Sequence, residues 1–497
     1  MWMKKSFSIV ILFFLFNFSV NANDLKISNI RWPVPDWEMA NSTNRMESAQ
    51  CQEFKHFATD NKNFLTEGLI IIKDGQILYE YYDDHYGIDV SHPLWSISKT
   101  FTGILLGTAV RDGRINLDMP LSAYYPHGNN TSNYQKILIK NLLYLDAGYN
   151  WNETELDVID NPVVSMLYGA GHEDMTNFVL GKRIIKQGPA YKWNYSTGLP
   201  TVTMGVLKKV YATEYEEMPW RNLFNPLGMK NVTFERDITG TYIGGASVFS
   251  TPRDLAKLGY LLLNNGQWNG DIILPPEWIK VMLTPSPGYV SSGTIVTDIK
   301  DTGVYGGSLW LNRPIKNGLG KPYPNSPEDM FLAIGHLGQF LIMLPTQNMI
   351  IVRTGSDQEF HSKTDHFVSG ALACFATPNS TVGKVQKTNP LSIGLGNIIR
   401  NIRNALQATT LQSAIAKNVC SCHLISGVDI STCLKRNKFS FAKFFSKIVV
   451  KKVEEKDGRI SVQVWLAKLS RLFRRHSENS AKAYFTPAKP EFGCTLN

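Results

Sequence analysis

Two side chains in one short stretch have the types and spacing for chemistry: Ser96 and Lys99, within Ser91-His-Pro-Leu-Trp-Ser-Ile-Ser-Lys-Thr100. An apolar run, Phe101 to Val110, follows at once. The pattern reads as a loop turning into a buried helix, with Ser96 in its first turn and Lys99 one turn on. Residues three apart on a helix share a face, which sets the hydroxyl beside the amine. Free backbone N–H groups and the positive dipole end there favour an alkoxide and disfavour an ammonium. A desolvated lysine in that place can be neutral enough to take the serine proton. Ser-x-x-Lys alone is a weak signal. A second match, Ser440-Phe-Ala-Lys443, lies in a basic stretch without supporting context.

Serine–lysine catalysis needs three further parts: a group to relay the proton, an oxyanion hole and a strand to hold the acyl chain. Tyr195-Ser-Thr197 offers a phenol in a loop just before a helix. Gly335-His-Leu-Gly-Gln339 precedes an expected strand, where small residues let a backbone N–H approach a ligand closely. Other chemistries lack their signatures. There is no GxSxG elbow, no HExxH, no P-loop and no GxGxxG opening a helix after a strand. The histidines are scattered and Cys420-x-Cys422 is too tight for a zinc knuckle, so neither a metal nor another cofactor is expected.

These residues need elements to position them. Gly68 to Tyr82 reads as a hairpin turning at Asp74-Gly75. The Ser96 helix is expected to run to about Arg111 and stop before Asp112-Gly113. Short helices are expected at 139–144, about 199–211 and 255–264, the last capped by Ser250 or Thr251 with Pro252 in its first turn. Leu309-Trp310, Phe340 to Leu344 and Met349 to Arg353 read as adjacent antiparallel strands. A strand pair early, a helical middle and a strand set late suggest one α/β sandwich. Val449 to Trp465 reads as a further hairpin, turning at Asp457-Gly458.

The order of motifs, Trp95-Ser96-Ile-Ser-Lys99, then Tyr195-Ser-Thr197 about 100 residues on, then His336-Leu-Gly338 late in the chain, resembles the serine β-lactamase and penicillin-binding superfamily. More narrowly it resembles the class C β-lactamase-like esterases and amidases of the 6-aminohexanoate-dimer hydrolase type. Arg111 to Asp118, Asn225-Pro-Leu-Gly-Met229 and Gly245 to Asp254 add to the likeness, which spans about 65–375. It implies an α/β fold: a transpeptidase-like antiparallel sheet flanked by helices, a helical lobe and a small C-terminal extension. It implies Ser96 as the acylated nucleophile, Lys99 as the group that helps deprotonate it, and Tyr195 as the base and acid serving the leaving group. The backbone N–H groups of Ser96 and Gln339 would form the oxyanion hole. His336, Gly338, Thr197 and Trp95 would line the substrate. Thr197 stands where the family often has asparagine, and His336 where β-lactamases and penicillin-binding proteins usually have lysine. Loss of that lysine argues against β-lactams and D-alanyl peptides, because histidine is a weaker, pH-dependent cation.

The 497-residue chain is 43% hydrophobic and 19% charged, a globular composition with room for more than one domain. Lys4 and Lys5 precede an apolar run to Val20, and Val20-Asn21-Ala22 suits cleavage, so 1–22 is read as a signal peptide. The expected location is the periplasm or outside the cell; the alternative is an uncleaved membrane anchor. Four of the six cysteines fall in the last 80 or so residues and suggest disulfides stapling the tail. The net charge of +9 sits in that tail, since 416–497 carries 16 Lys and Arg against 6 Asp and Glu. Such a tail suits an anionic cell surface, and export makes nucleic acid an unsuitable partner. The expected divisions are an arm at 23–60, a hydrolase domain at 61–385 and a basic extension at 386–497. The reading is an exported serine hydrolase acting on a small ester or linear amide. The alternatives are a D-alanyl peptidase or β-lactamase, and a non-catalytic binding protein on the same fold.

Overall fold

The computed structural model describes residues 30–41, 45–61, 63–127, 134–153, 161–182, 184, 193–292, 303–314, 320–376, 407–436, 447–455, 457–467 and 481–496. The expected signal segment, the Ser440–Lys443 match and the boundary near 385 lie outside them.

The core is a sheet whose strands are β1 (Glu38–Met39), β2 (Thr66–Lys73), β3 (Gln76–Tyr82), β4 (Val304–Tyr305), β5 (Trp310–Leu311), β6 (Phe331–Gly335), β7 (Gln339–Leu344) and β8 (Met349–Gly355). Their order is β1-β3-β2-β8-β7-β6-β5-β4. Early and late strands therefore meet at the β2–β8 pair, in register from Met349 opposite Lys73 to Thr354 opposite Gly68. All neighbours are antiparallel except β1 on β3, a parallel edge added by the N-terminal arm. The β2–β3 turn falls at Asp74-Gly75, both with positive φ, the tight hairpin geometry that this dipeptide favours.

Strands β2, β7 and β8 are apolar on consecutive residues because both faces are covered. On one face lies helix α4 (Pro252–Leu263), where a Cβ on Gly259 would touch Leu341 and Ile350. The other face carries α1 (Ala49–Lys55) and α5 (Thr364–Phe375) through Phe54 and Phe367, and Phe360, in the turn before α5, packs on Phe367 and reaches Phe340. A Cys51–Cys374 disulfide ties α1 to α5. Thr251 caps α4 by accepting from the Asp254 N–H at 3.2 Å, and Pro252 occupies its first turn.

The helical lobe is built around α2 (Ser98–Arg111), buried on every side from Ser98 to Ala109, and α3 (Gly198–Tyr211) packed against it. A helix buried all round needs no polar stripe, and α2 has none. Its hydroxyls instead bind the neighbouring chain. Ser98 Oγ accepts from the Val248 N–H at 2.9 Å, and Thr102 Oγ1 donates to the Gly244 carbonyl at 2.8 Å.

The C-terminal segment forms a second small core. Strands β9 (Lys447–Glu454), β10 (Ile460–Ala467), β11 (Ala481–Phe485) and β12 (Cys494–Leu496) make one antiparallel sheet in sequence order. Helix α6 (Gln407–Leu424) packs on it, followed by α7 (Ile430–Arg436). Disulfides Cys420–Cys494 and Cys422–Cys433 staple this unit internally, which is the tail stapling expected from the cysteine positions. Among the described residues no helix is long and apolar enough to cross a membrane.

Candidate active site

A single 3-10 turn, Trp95–Ile97, delivers Ser96 to the start of α2, leaving Ser96 partly exposed while Lys99 is only 2% exposed. Lys99 Nζ lies 2.9 Å from Ser96 Oγ, 3.1 Å from Thr197 Oγ1 and 3.0 Å from the Gly245 carbonyl. It also sits 4.6 Å from the centre of the Tyr195 ring. The amine is thus held by three oxygens in a dry site, and burial pulls its pKa down to about 8. The Glu153 carboxylate opposes that shift.

Tyr195 lies beside Ser96 and the Lys99 amine. Burial pushes its phenol up, and the Ser96 hydroxyl holds it down only in part. Its ring stacks on Trp310 at 5.8 Å and meets Tyr305 edge-on at 6.2 Å, so strands β4 and β5 form the backing of the phenol. Thr197 starts α3, and its hydroxyl both receives the Lys99 amine and donates to Glu153 Oε2 at 3.0 Å. The Thr197 N–H bonds Glu153 Oε1 as well, and Trp151 Nε1 donates to the same oxygen at 2.6 Å.

The third wall is the turn between β6 and β7. His336 is exposed and meets the Trp95 ring edge-on at 5.4 Å. Leu337 and Gly338 both take positive φ, 62° and 80°. Gln339 opens β7 and braces the turn from inside: its side-chain N–H groups donate to the His336, Leu337 and Gly355 carbonyls, and its Oε1 accepts from the Gly355 N–H. Strands β6 and β7 pack on the Trp95–Ile97 turn, closely enough that a Cβ on Gly335 would lie 2.2 Å from the Leu94 carbonyl oxygen. Arg353 on β8 is fully buried; it donates to the Gly338 carbonyl at 2.7 Å, to Asp357 at 2.7 Å and to Thr66 Oγ1 at 3.0 Å.

The structure thus brings Ser96, Lys99, Tyr195 and Thr197 into one contact network. His336, Gly338 and Gln339 stand on a single turn against the serine loop, with Trp95 between. Three participants were missed: Glu153, the Gly245 carbonyl and Arg353. A carboxylate two residues after an indole in a loop has no periodic signal. Gly245 had one in the Gly244-Gly245 pair, and a Cβ there would lie 2.1 Å from the Thr197 carbonyl. Asp146, left without a role by the sequence, is buried and accepts from the Asn141 side chain and the Gly288 N–H, fixing the loop at 145–148.

An antiparallel sheet flanked by helices, with a serine and lysine at the head of a buried helix beside it, is the β-lactamase and penicillin-binding fold. Residues 56–369 match the Beta-lactamase family, and the chain belongs to that family. It is 23% identical over 276 residues to the 6-aminohexanoate-dimer hydrolase of Paenarthrobacter ureafaciens, covering 50% of this chain and 69% of that protein. Among solved structures it is similar to EstCE1, described as a hydrolase with promiscuous acyltransferase activity (14% identity, 66% and 100% of the two chains, TM-score 0.51). A penicillin-binding protein homologue from Caulobacter crescentus is also similar (14% identity, 68% and 99%, TM-score 0.50). These likenesses support a hydrolase of the serine β-lactamase-like type.

Proposed function

We propose that this chain cleaves an ester or linear amide through an acyl-enzyme on Ser96. The observation that carries the reading is the 2.9 Å contact between Ser96 Oγ and a buried Lys99 whose pKa is drawn down to about 8. Lys99 in its neutral form accepts the Ser96 proton as Oγ attacks the carbonyl carbon. The backbone N–H groups of Ser96 and Gln339 receive the oxyanion. Tyr195, kept as a neutral phenol by burial, passes a proton to the leaving alcohol or amine and is re-protonated from Lys99. Water then attacks the acyl carbon by the same relay, freeing the acid and restoring Ser96. Trp95, Thr197, His336 and Gly338 border the substrate.

One relative is a 6-aminohexanoate-dimer hydrolase, and His336 on the β6–β7 turn, where β-lactamases and penicillin-binding proteins usually carry a lysine, favours plain esters and amides over β-lactams. Export through the N-terminal segment fits a chain whose six cysteines form three disulfides.

The test is covalent. Wild-type protein is expected to take up a fluorophosphonate probe and to turn over p-nitrophenyl acetate, and Ser96→Ala to do neither. No labelling of the wild type would favour a binding protein, and labelling by a fluorescent penicillin would favour the peptidase or β-lactamase alternative.

A further inference from the structure

The β6–β7 turn is held from outside by two side chains that the proposed reaction does not use. Both follow β8 closely: Gln358, and His361 in the 3-10 turn Glu359–Lys363. His361 Nε2 lies 3.1 Å from the Gly335 carbonyl oxygen, and its Nδ1 lies 2.8 Å from Gln358 Nε2. Gln358 Oε1 in turn accepts from the Leu337 N–H at 2.9 Å. These contacts form one bridge that leaves the turn at Gly335 and rejoins it at Leu337. Its base is fixed, because Asp357 pairs with Arg353 at 2.7 Å and accepts from the Leu65 N–H at 2.8 Å.

Backbone groups at the two ends set the polarity of everything between them. A carbonyl oxygen only accepts, so His361 Nε2 carries a proton and donates to Gly335. An amide N–H only donates, so the Gln358 oxygen faces Leu337 and its NH2 group faces the ring. Nδ1 must then be the acceptor. The bridge is complete only with a neutral His361 of this one tautomer. An imidazolium would set an N–H against the Gln358 NH2, and flipping that amide would move the clash to the Leu337 N–H. The surroundings agree with a neutral ring. Burial, with the Phe340 ring edge-on at 5.2 Å and His336 and Arg353 nearby, draws the His361 pKa down to about 4, against the pull of the Gly335 carbonyl.

What the bridge holds is the turn that faces Ser96. Gly335 packs directly on the Leu94 carbonyl of the serine loop, His336 meets Trp95, and Gly335 pairs with Gln339 at the end of the β6–β7 ladder. Leu337, between them, sits at a φ of 62°, so without its bond to Gln358 the turn has strain to release.

We propose that His361 and Gln358 are positioning residues for the oxyanion hole: the bridge they form sets the β6–β7 turn so that the Gln339 N–H meets the oxyanion. The inference rests on the Ser96 hydrolase reading and adds what aligns its hole.

The experiment measures kcat and KM for p-nitrophenyl acetate at pH 7 and reads the His361 ring by proton–nitrogen correlation NMR. The wild-type ring is expected to be neutral and protonated on Nε2. Gln358→Met, at an exposed position that the fold tolerates, removes both the acceptor and the donor. Its kcat should fall at least tenfold while KM changes less than threefold, as expected when an oxyanion contact is lost. Gln358→Glu is the rescue. The introduced carboxylate can accept from the Leu337 N–H and from a protonated Nδ1, so the bridge re-forms around a charged ring. Its kcat should return to within about threefold of wild type, and the ring should read as imidazolium. An unchanged kcat in folded Gln358→Met, a loss confined to KM, a Gln358→Glu protein as slow as Gln358→Met, or a wild-type ring protonated on Nδ1 would each overturn the proposal and leave the Ser96 assignment standing. A wild type that cleaves no ester fails the hydrolase reading instead, and the role of the bridge falls with it.

Discussion

Replacing Glu153 by glutamine should move the acid limb of the pH–rate profile downward. Only neutral Lys99 can take the Ser96 proton, so kcat/KM for an ester should rise with pH through a midpoint near 8. Glu153 is the anion that holds that midpoint up. Lys99 Nζ is 3.1 Å from Thr197 Oγ1, which is 3.0 Å from Glu153 Oε2, so amine and carboxylate stand at most about 6 Å apart. Coulomb's law at that distance gives ~2.8 kcal/mol at an effective dielectric of about 20 and ~0.7 kcal/mol at about 80. Those energies correspond to shifts of roughly 2 and 0.5 pH units. Glu153 is half-buried, so a shift of about 1 unit is expected.

The sign is fixed. Removing a nearby negative charge disfavours the ammonium, lowers the Lys99 pKa and extends activity towards acid. Glutamine keeps an acceptor for the Thr197 N–H, so Thr197 is expected to stay in place. The assay is a stopped-time profile of p-nitrophenyl acetate hydrolysis from pH 5.5 to 9.5 for both proteins, fitted for the midpoint rather than the plateau, because the plateau also senses the basicity of the amine. A midpoint that stays put, or rises, in a folded Glu153→Gln protein would sink the assignment of Lys99 as the titrating base.

Tyr195→Phe removes the hydroxyl proposed as the relay while keeping the ring on Trp310, and kcat/KM should fall by about 10²- to 10⁴-fold with little change in thermal midpoint. Gly245→Ala drives a methyl into the Thr197 carbonyl, so ester turnover should drop at least tenfold while far-UV circular dichroism is retained. Arg353→Met strips the partner from Asp357 and frees the Gly338 carbonyl; urea unfolding should show a loss of about 3–5 kcal/mol. Removing the Cys420–Cys494 bridge as a double serine variant opens a closed loop spanning a sequence separation of 74 residues, and by loop entropy should cost about 4 kcal/mol in the C-terminal unit, read as its earlier release in limited proteolysis.

The parts of the site legible in the sequence are those whose local pattern is tied to their role. Ser96 and Lys99 share a helix face, Tyr195 and Thr197 precede a helix, and Gly338-Gln339 opens a strand, so spacing alone sets each group at an element's end. The hairpins were legible for the same reason: Asp74-Gly75 and Asp457-Gly458 both turn with positive φ at glycine. What was not legible acts across the chain. Glu153 matters only because the loop carrying it folds over Thr197, and Arg353 looks like any strand residue until β8 places it beneath the β6–β7 turn. The docking of α6 through Glu235 and Lys417 is likewise a contact between residues 182 positions apart, with no periodicity to reveal it.

Backbone conformation around Ser96 carries one more physical statement. Trp95, Ser308 and Leu337 hold φ of 50°, 66° and 62°, a region side-chain-bearing residues enter at a cost of about 1–3 kcal/mol each. Each is pinned by partners on another element. The Trp95 ring rests on His336, the Ser308 carbonyl accepts from Thr100 of α2 at 2.8 Å, and the Leu337 N–H donates to Gln358 at 2.9 Å. The three residues belong to the serine turn, the β4–β5 turn and the β6–β7 turn, which are the three pieces that enclose Ser96 and Tyr195. Relaxing any of them would let its turn move away from the serine. On the proposed mechanism, the fold spends stability at these three turns to hold the serine, phenol and turn N–H groups in one arrangement before substrate arrives, which is where electrostatic preorganisation has its effect.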